Sequence, residues 1–283
     1  CIVILFSLFI HSFFKNYYIG FFICIVLYVA IPALSQIGVE QSIYKFNQGP
    51  GYRYSDMNGY GDVRNYIWYK VYWLLFSGIL YGLTLLFWRR GILSSVRERL
   101  SFAKLRAKGV ILLPMLLLFI AFVGLGYAIY YQNNVVDKYT SAKESEEQSV
   151  FYEKKYKKYG KHKQPRIVDV KVDLAIFAAA RDYEARIRYK LVNKSTVAID
   201  SLFINYGDNL QTLEFNRTYK LLAKDILLEF DIYRLSQPLL PGDTIEANFV
   251  LKNKANSFLS DRSPILANGT FLNHASFLGI GYD

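Results

Sequence analysis

The residues that most often do chemistry in proteins are few in this sequence and lie far apart. The histidines are His11, His162 and His274, and the cysteines are Cys1 and Cys24. None of them belongs to an H-E-x-x-H zinc motif, and the sequence has no Gly-rich phosphate loop, no G-x-S-x-G nucleophile turn and no Cys/His pair. We therefore expect these 283 residues to carry no catalytic residue, no bound cofactor and no metal site.

One run of residues stands out for its charge. Between residues 89 and 108, seven basic side chains accompany a single acid, Glu98: Arg89, Arg90, Arg97, Arg99, Lys104, Arg106 and Lys108. Apolar residues recur at helical spacing among them, at Ile92, Leu93, Val96, Leu100 and Ala103. The pattern predicts an amphipathic helix over 91–107 that contacts the inner leaflet or a cytoplasmic partner. The alternative is that these charges only set the membrane topology.

The basic segment lies between long apolar stretches of the sequence, and these stretches determine where it is placed. Uncharged runs occupy 16–35, 71–88 and 110–131, and a shorter one occupies 1–14. A helix needs about 20 apolar residues to cross a bilayer core of about 30 Å. The runs lack the alternation of barrel strands, so we predict four transmembrane helices, the first of them truncated. The sequence opens on Cys1 inside an apolar run, and we expect it to be an internal piece of a longer chain.

The loops between these runs give an orientation. The basic segment at 89–108 is expected in the cytoplasm, because positively charged loops stay on that side. The loop at 36–65 has three basic and three acidic residues, so nothing holds it inside. Alternation then leaves everything after residue 131 outside the cytoplasm. Since the sequence lacks a Walker A motif, an ATPase partner would be a separate cytoplasmic subunit.

Two connecting segments have distinct compositions. The loop at 36–65 is rich in Gly, Asn, Asp and Tyr, and it reads either as a functional loop or, as we favour, as a folded cap over the helix ends. Residues 132–164 hold a group of glutamates followed by a group of lysines, with Glu153 and Lys157 placed for an i,i+4 pair. We predict a charged, solvated helical linker that ends before Pro165.

After Pro165 the hydrophobic period changes to two. Alternation of apolar and polar residues predicts strands at 166–177 and 183–192, joined as a hairpin through 178–182. Further strands are expected at 197–206, 210–216, 225–233 and 245–252, with turns at 193–195 and 241–243. Short strands at this spacing are typical of an antiparallel β-sandwich. The predicted fold class is therefore an α+β membrane protein whose helices precede an extracytoplasmic β-domain at 165–283.

The charge distribution excludes a nucleic-acid reader. The net charge of +11 comes from residues 1–131, with 12 basic and 4 acidic side chains, and from 132–165, with 8 and 5, whereas residues 166–283 hold 14 of each. A nucleic-acid-binding domain concentrates its basic excess on a soluble folded face. Here the excess flanks apolar runs. The expected partner is the lipid bilayer, and no nucleic acid is expected.

Several short motifs together resemble a known family. They occupy residues 54–61 (YSDMNGYG), 152–158 (YEKKYKK), 164–165 (QP), 191–194 (LVNK), 238–243 (PLLPGD), 267–271 (ANGTF) and 279–283 (GIGYD). Their order and spacing resemble bacterial proteins that fuse an ABC-type transporter permease to a zinc aminopeptidase of the aminopeptidase N kind. The resemblance implies that residues 1–131 are the last permease spans and that 165–283 are the N-terminal β-domain of the peptidase. The zinc ligands of the peptidase would follow Asp283, so zinc is expected only in a part of the protein beyond that residue.

Three functions remain open from the sequence. The first is a fragment of an ABC-type permease in the bacterial inner membrane, contacting a separate cytoplasmic ATPase through the basic helix. The second is a membrane anchor and non-catalytic N-terminal domain of a zinc aminopeptidase. The third is a membrane-tethered binding or sensing module. For the residues present we expect no enzyme activity, while the full-length protein could continue into a metallopeptidase.

Overall fold

The structure is a computed structural model, and it describes residues 1–14, 16–52, 54–56, 59–60, 63–88, 96–207, 209–254, 263–266 and 269–282. The chain divides into two compact units. The first unit comprises Cys1–Tyr139, and the second begins at Thr140. Each unit is described by itself below.

The first unit is built from five α-helices in its described residues. They are α1 (Ile2–Phe13), α2 (Tyr17–Ala33), α3 (Arg64–Phe87), α4 (Val96–Arg106) and α5 (Gly109–Tyr131). A two-stranded hairpin, β1 (Tyr54–Ser55) with β2 (Gly59–Tyr60), lies between α2 and α3. The Asn16 side chain caps α2 by accepting a hydrogen bond from the Tyr18 N–H.

Three of the described helical segments are long and apolar enough to cross a membrane: Tyr17–Ile37, Arg64–Phe87 and Gly109–Val136. The prediction of four spans is therefore supported for three. Helix α1 has only 12 residues, which is about 18 Å at 1.5 Å per residue, and it is too short to cross a bilayer core. The helix predicted at 71–88 begins earlier in the structure, at Arg64, because the polar residues ahead of the apolar run are also helical.

Glycines allow α3 and α5 to pack closely. Gly82 and Gly78 on α3 leave room for the side chains of Met115 and Leu118 on α5. A Cβ atom at Gly82 would lie 2.5 Å from Met115 Cγ, so a larger residue there would displace that side chain. Gly126 on α5 in turn accommodates the Tyr72 ring. This close approach of helices at small residues is the usual way in which apolar helices associate.

The segment after α2 folds onto the ends of α3 and α5. The Trp73 indole N–H donates to the Gln48 carbonyl at 2.9 Å, and Lys70 Nζ donates to the Asn47 carbonyl at 2.8 Å. Gln41 Nε2 donates to Asn134 Oδ1 at 2.8 Å. These bonds match the interpretation of this loop as a cap.

The second unit begins with α6 (Ala142–Tyr156), which starts in a capping box formed by Ser141 and Glu144. Its strands are β3 (Arg166–Phe177), β4 (Asp182–Val192), β5 (Ile199–Asn205), β6 (Leu210–Phe215), β7 (Tyr219–Asp225), β8 (Phe230–Leu239), β9 (Thr244–Asn253), β10 (Ile265–Leu266), β11 (Gly269–Thr270) and β12 (Gly279–Ile280). One four-stranded sheet has the order β3-β4-β9-β6 and the other β12-β5-β8-β7, while β10 and β11 pair alone. All of these pairs are antiparallel.

The core of the second unit lies between these two sheets. Strand β4 alternates between buried and open positions, with Ala185, Ile187, Tyr189 and Leu191 buried. Side chains of β5, β8 and β9 complete the same cluster. The two four-stranded sheets are therefore the layers of a β-sandwich, as the period-two patterns predict.

The strands differ from the sequence prediction in several places, and β7, β10, β11 and β12 were not predicted. The strand predicted at 225–233 is wrong in its first half, because a turn separates β7 from β8 and Glu229 adopts a positive φ of 51° within it. The apolar residues Ile226 and Leu227 in that turn are exposed, so they extended the apolar run without belonging to a strand. A register shift between Ile167 and Asp169 is a β-bulge, and it brings Ile167 opposite Leu191 on the core face.

Asn193 ties the end of β4 to the neighbouring strands. Its side chain is buried, and its Nδ2 donates to the carbonyls of Val197 and Leu239, both at 2.8 Å. Its Oδ1 accepts from the N–H and hydroxyl of Ser195 at 2.9 and 2.6 Å. The predicted turn at 193–195 is confirmed, and one buried amide satisfies the groups around it.

Replacing Asn193 by Ala should loosen the sandwich. The change leaves the buried carbonyl of Leu239 without this donor, so we expect the opening free energy of β4 and β8 to fall by roughly 1–3 kcal/mol. Hydrogen–deuterium exchange of the full chain measures it. Asn248→Ala, at an exposed position of β9, is the control and should change it by less than about 0.5 kcal/mol. Equal effects of the two changes would contradict this role.

Candidate functional site

The basic segment is described only in its second half. Arg89 and Arg90 lie outside the described residues. Arg97 and Arg99 lie on α4, and their side chains are likewise outside the description. The observed helix, Val96–Arg106, falls within the 91–107 that the sequence predicts.

The other three predicted site residues follow on the same segment. Lys104 is exposed on α4, and Lys108 is exposed immediately before α5. The Arg106 guanidinium donates to the Trp88 carbonyl, which joins the end of α4 to the end of α3. The structure thus places Lys104, Arg106 and Lys108 near the ends of two long apolar helices.

The apolar residues of α4 do not form one buried stripe. Ala103 is buried, but Leu100 and Phe102 are open, and Leu105 is 68% exposed. The described part of this helix therefore exposes apolar side chains next to the basic Lys104. Such a surface suits contact with a membrane interface or with another protein.

Polar side chains inside the apolar helices are bonded within their own helices. Ser77 Oγ donates to the Trp73 carbonyl at 2.8 Å, and Thr84 Oγ1 donates to the Leu80 carbonyl at 2.9 Å. Both residues are buried. Because each hydroxyl is satisfied by the preceding turn, these two positions do not mark a polar pathway through α3.

A second polar group lies between α1 and α2. His11 Nδ1 lies 2.8 Å from the Ser7 carbonyl oxygen, and Cys24 Sγ lies 3.7 Å from Ser7 Oγ. Gly20 of α2 sits against the His11 ring, where a Cβ would be 2.9 Å from Cδ2. A histidine within an apolar helix is uncommon, and here its ring also packs in a helix–helix contact.

A cavity of 240 Å³ opens beside this contact. Its walls include Phe6, Phe21, Leu27 and Ile31, and Ser7, Cys24, Asn47 and Gln48 supply polar atoms. The lining suits an apolar group with a small polar end.

In the second unit, α6 lies against one sheet of the sandwich through aromatic residues. Tyr156 is buried and its ring centroid lies 4.3 Å from that of Phe230. Tyr152 stacks on Tyr282 with centroids 5.3 Å apart and an interplanar angle of 7°. The predicted helix exists, with the predicted Glu153–Lys157 pair at 3.8 Å, but one of its faces is packed rather than solvated.

An ionic network fixes the end of α6. Asp225 Oδ2 accepts hydrogen bonds from Lys155 Nζ at 2.6 Å and from the Tyr156 hydroxyl at 2.7 Å, and the Leu228 N–H donates to Oδ1 at 3.1 Å. Burial of Asp225 favours its neutral form, but these donors outweigh burial and hold the pKa of the carboxyl below its ordinary value. The same hydrogen bond to Asp225 raises the pKa of Lys155.

A groove of 480 Å³ runs beside α6. Ser145, Gln148 and Glu153 of α6 line one side, and Asn205 and Glu229 line the other. These groups can hydrogen-bond a polar ligand next to the Tyr152 ring. Among the residues that the structure describes, no group of three His, Cys, Asp or Glu side chains could hold a metal ion.

A second carboxylate of the sandwich, that of Asp231, is buried and hydrogen-bonded to two tyrosines. Asp231 accepts hydrogen bonds from the hydroxyls of Tyr206 at 3.1 Å and Tyr233 at 2.9 Å. Burial and the adjacent carboxylate raise the pKa of both tyrosines, so both hydroxyls stay protonated and keep donating.

The other histidines lie at the surface. His162 is exposed beside the rings of Tyr159 and Phe203, as a loop residue would be. His274 is exposed at the start of a 3-10 turn and lines an apolar groove with residues of β3. The Lys155–Asp225 network could not be predicted from the sequence, because its members are 70 residues apart and no local pattern links them.

No family model matches this chain, and no curated protein matches it either.

The Asp225 network should make the docking of α6 depend on pH. Because the pKa of Asp225 is lowered in the folded chain, its stabilising effect is present above the unfolded value and is lost as the pH falls through the folded value. At pH 6, Asp225→Asn should lower the opening free energy of α6 by roughly 1–2 kcal/mol. Hydrogen–deuterium exchange of α6 peptides, corrected for the intrinsic rate at each pH, measures both effects.

The matched control is Asp200→Asn, because Asp200 forms a longer, exposed pair with Arg234 at 3.8 Å. This change should leave the opening free energy of α6 equal to that of the unmodified chain. The assignment would be wrong if Asp225→Asn lost protection of α6 to the same extent as the unmodified chain when the pH is lowered from the unfolded pKa of Asp225 through its folded pKa.

Proposed function

We propose that this chain is the membrane-embedded part of an ABC-type transport protein and carries an extracytoplasmic β-sandwich. The observation that carries the proposal is the open apolar surface of the long helices. In the fully described helix Gly109–Val136, none of the most apolar 18-residue window is buried. For Tyr17–Ile37 the buried share of that window is 6%.

Such a surface needs an apolar environment. Side chains such as Leu117, Ile120 and Val123 on α5 are more than half exposed. Leaving them in water costs about 25 cal/mol for each Å² of apolar area. A bilayer core removes that cost, and the helical backbone satisfies its own polar groups there.

Charge supports one orientation of the helices. The basic segment at 89–108 belongs in the cytoplasm by the positive-inside rule, and α5 then crosses to the other side. The second unit would begin outside the cytoplasm, in agreement with its balanced charge of 14 basic and 14 acidic residues in 166–283. We propose the bacterial inner membrane as the location.

The basic helix α4 supports a cytoplasmic partner. Lys104 is exposed, and apolar side chains such as Leu105 lie open on the same helix. A separate ATPase subunit is the partner that an ABC-type permease requires. The resemblance to permease–aminopeptidase fusions favours this arrangement.

Ser77 and Thr84 favour a second candidate, a membrane anchor for the β-sandwich. Because the O–H of each residue donates to the preceding turn of α3 and both side chains are buried, neither residue has a free donor for a transported substrate. An anchor would need the same apolar helices but no ATPase. The two candidates therefore differ in what binds α4.

Co-purification of ATPase activity separates the candidates. The full-length protein, isolated from its native membranes in mild detergent, should carry vanadate-sensitive ATP hydrolysis. Changing Arg97, Arg99 and Lys104 to Gln should remove at least about nine-tenths of it, because three charge-assisted contacts are lost.

The matched control changes Lys143, Lys154 and Lys158 on the exposed surface around α6 to Gln, with the same loss of charge. That variant should keep the activity. Retention of ATP hydrolysis by the α4 variant would contradict the assigned contact. Its absence from the unmodified protein would favour the anchor.

A further inference from the structure

Strand β3 leaves one edge of the sandwich open. Within the part of the chain that the structure describes, it pairs with β4 alone and is the first strand in the order β3-β4-β9-β6. It has 12 residues, and every one of them is exposed. A long edge strand without a cover offers a row of free backbone N–H and C=O groups to another strand.

The side chains of β3 make this edge unusually apolar. Val170, Val172, Leu174 and Ile176 lie on the core face, opposite the buried side chains of Tyr189, Ile187, Ala185 and Tyr183. They remain 39–48% exposed, because no strand among the described residues follows β3 on its outer side. The core face of this sheet thus extends onto β3, where its apolar side chains are partly exposed to solvent.

The opposite face of β3 carries charges in the order acid, base, acid. Asp169, Lys171 and Asp173 alternate with the apolar row. In an antiparallel pair, residues directly opposite each other point to the same face, and opposite charges there are favourable whereas like charges are not. This rule shows which registers of an antiparallel pair of two β3 strands would place opposite charges together.

In one register of such a pair, charged residues face opposite charges and the valines of the apolar row face apolar residues. With Val172 opposite Val172, each Lys171 faces an Asp173 and each Val170 faces a Leu174. Centring the pair on Lys171 puts Asp169 opposite Asp173, and centring it on Asp173 puts that carboxylate opposite itself. Centring it on Val170 reaches the β-bulge between Ile167 and Asp169.

We propose that β3 of two copies of this chain pair antiparallel about a two-fold axis at Val172. The two β3-β4-β9-β6 sheets then form one continuous eight-stranded sheet, with both apolar rows on the same side. Each open side chain of β3 gains a neighbour, and the edge amides gain partners. This dimer depends on the second unit and is independent of the proposed transport function.

The edge strand β7 provides the contrast. It is shorter, it carries Lys220 and Lys224, and its register shifts between Leu221 and Ala223, so a regular self-pairing about Leu222 is interrupted. Lysines on an edge discourage such pairing. Lys220 and Leu222 are both exposed and serve as control positions.

A charge exchange tests the pairing in the full chain in detergent, with dimerisation followed by sedimentation velocity. Lys171→Asp sets two like-charge pairs at the axis and should weaken the dimer at least about fivefold. Adding Asp173→Lys recreates two opposite pairs and should restore it, while Lys220→Asp should have no effect. A monomeric unmodified chain, or a dimer that Lys171→Asp leaves unchanged, would overturn the proposal.

Cysteine cross-linking tests the register in a chain with Cys1 and Cys24 changed to Ser. Directly opposite residues have Cα atoms about 4.5–5.5 Å apart, which a disulfide can bridge. Val172→Cys should therefore form a disulfide-linked dimer under mild oxidation, and Leu222→Cys should not. Equal cross-linking at the two positions would overturn the register even if the chain dimerises.

Discussion

The apolar surface of the long helices is the constraint on which the first unit depends. Helix α5 satisfies its own backbone, and Gly78 and Gly82 on α3 let it approach closely on one side. Its remaining side chains are left open. Water would not tolerate that surface, whereas a bilayer or further apolar helices would. The position of the basic segment between α3 and α5 then has a physical meaning, because its charges resist transfer across the same bilayer.

The second unit is stabilised in a different way. Two sheets bury alternating side chains between them, and single polar groups fix the connections: Asn193 at the end of β4, and Asp225 where α6 meets the sheet. Helix α6 therefore belongs to the sandwich as a packed element. The edge strand β3, whose described residues are all exposed, is also the strand whose charges complement themselves.

Local pattern was sufficient for much of this fold. The strands β3 and β4 and the helix α5 lie within one residue of their predicted bounds, because hydrophobic period and length specify them. Residues 225–233 misled the prediction, since Ile226 and Leu227 are apolar but occupy a turn. The bulge in β3 and the Lys155–Asp225 contact depend on tertiary pairing. Of the predicted basic site, the helix was predictable, whereas its contact through Arg106 to Trp88 was not.

Thiol labelling in intact cells tests the membrane arrangement most directly. In a chain with Cys1 and Cys24 changed to Ser, single cysteines replace Leu105 on α4 and Leu222 on β7, both exposed side chains. A membrane-impermeant maleimide should label the cysteine at 222 in intact cells and the one at 105 only after permeabilisation. Labelling at 105 with protection at 222, or equal labelling of both before permeabilisation, would contradict the arrangement.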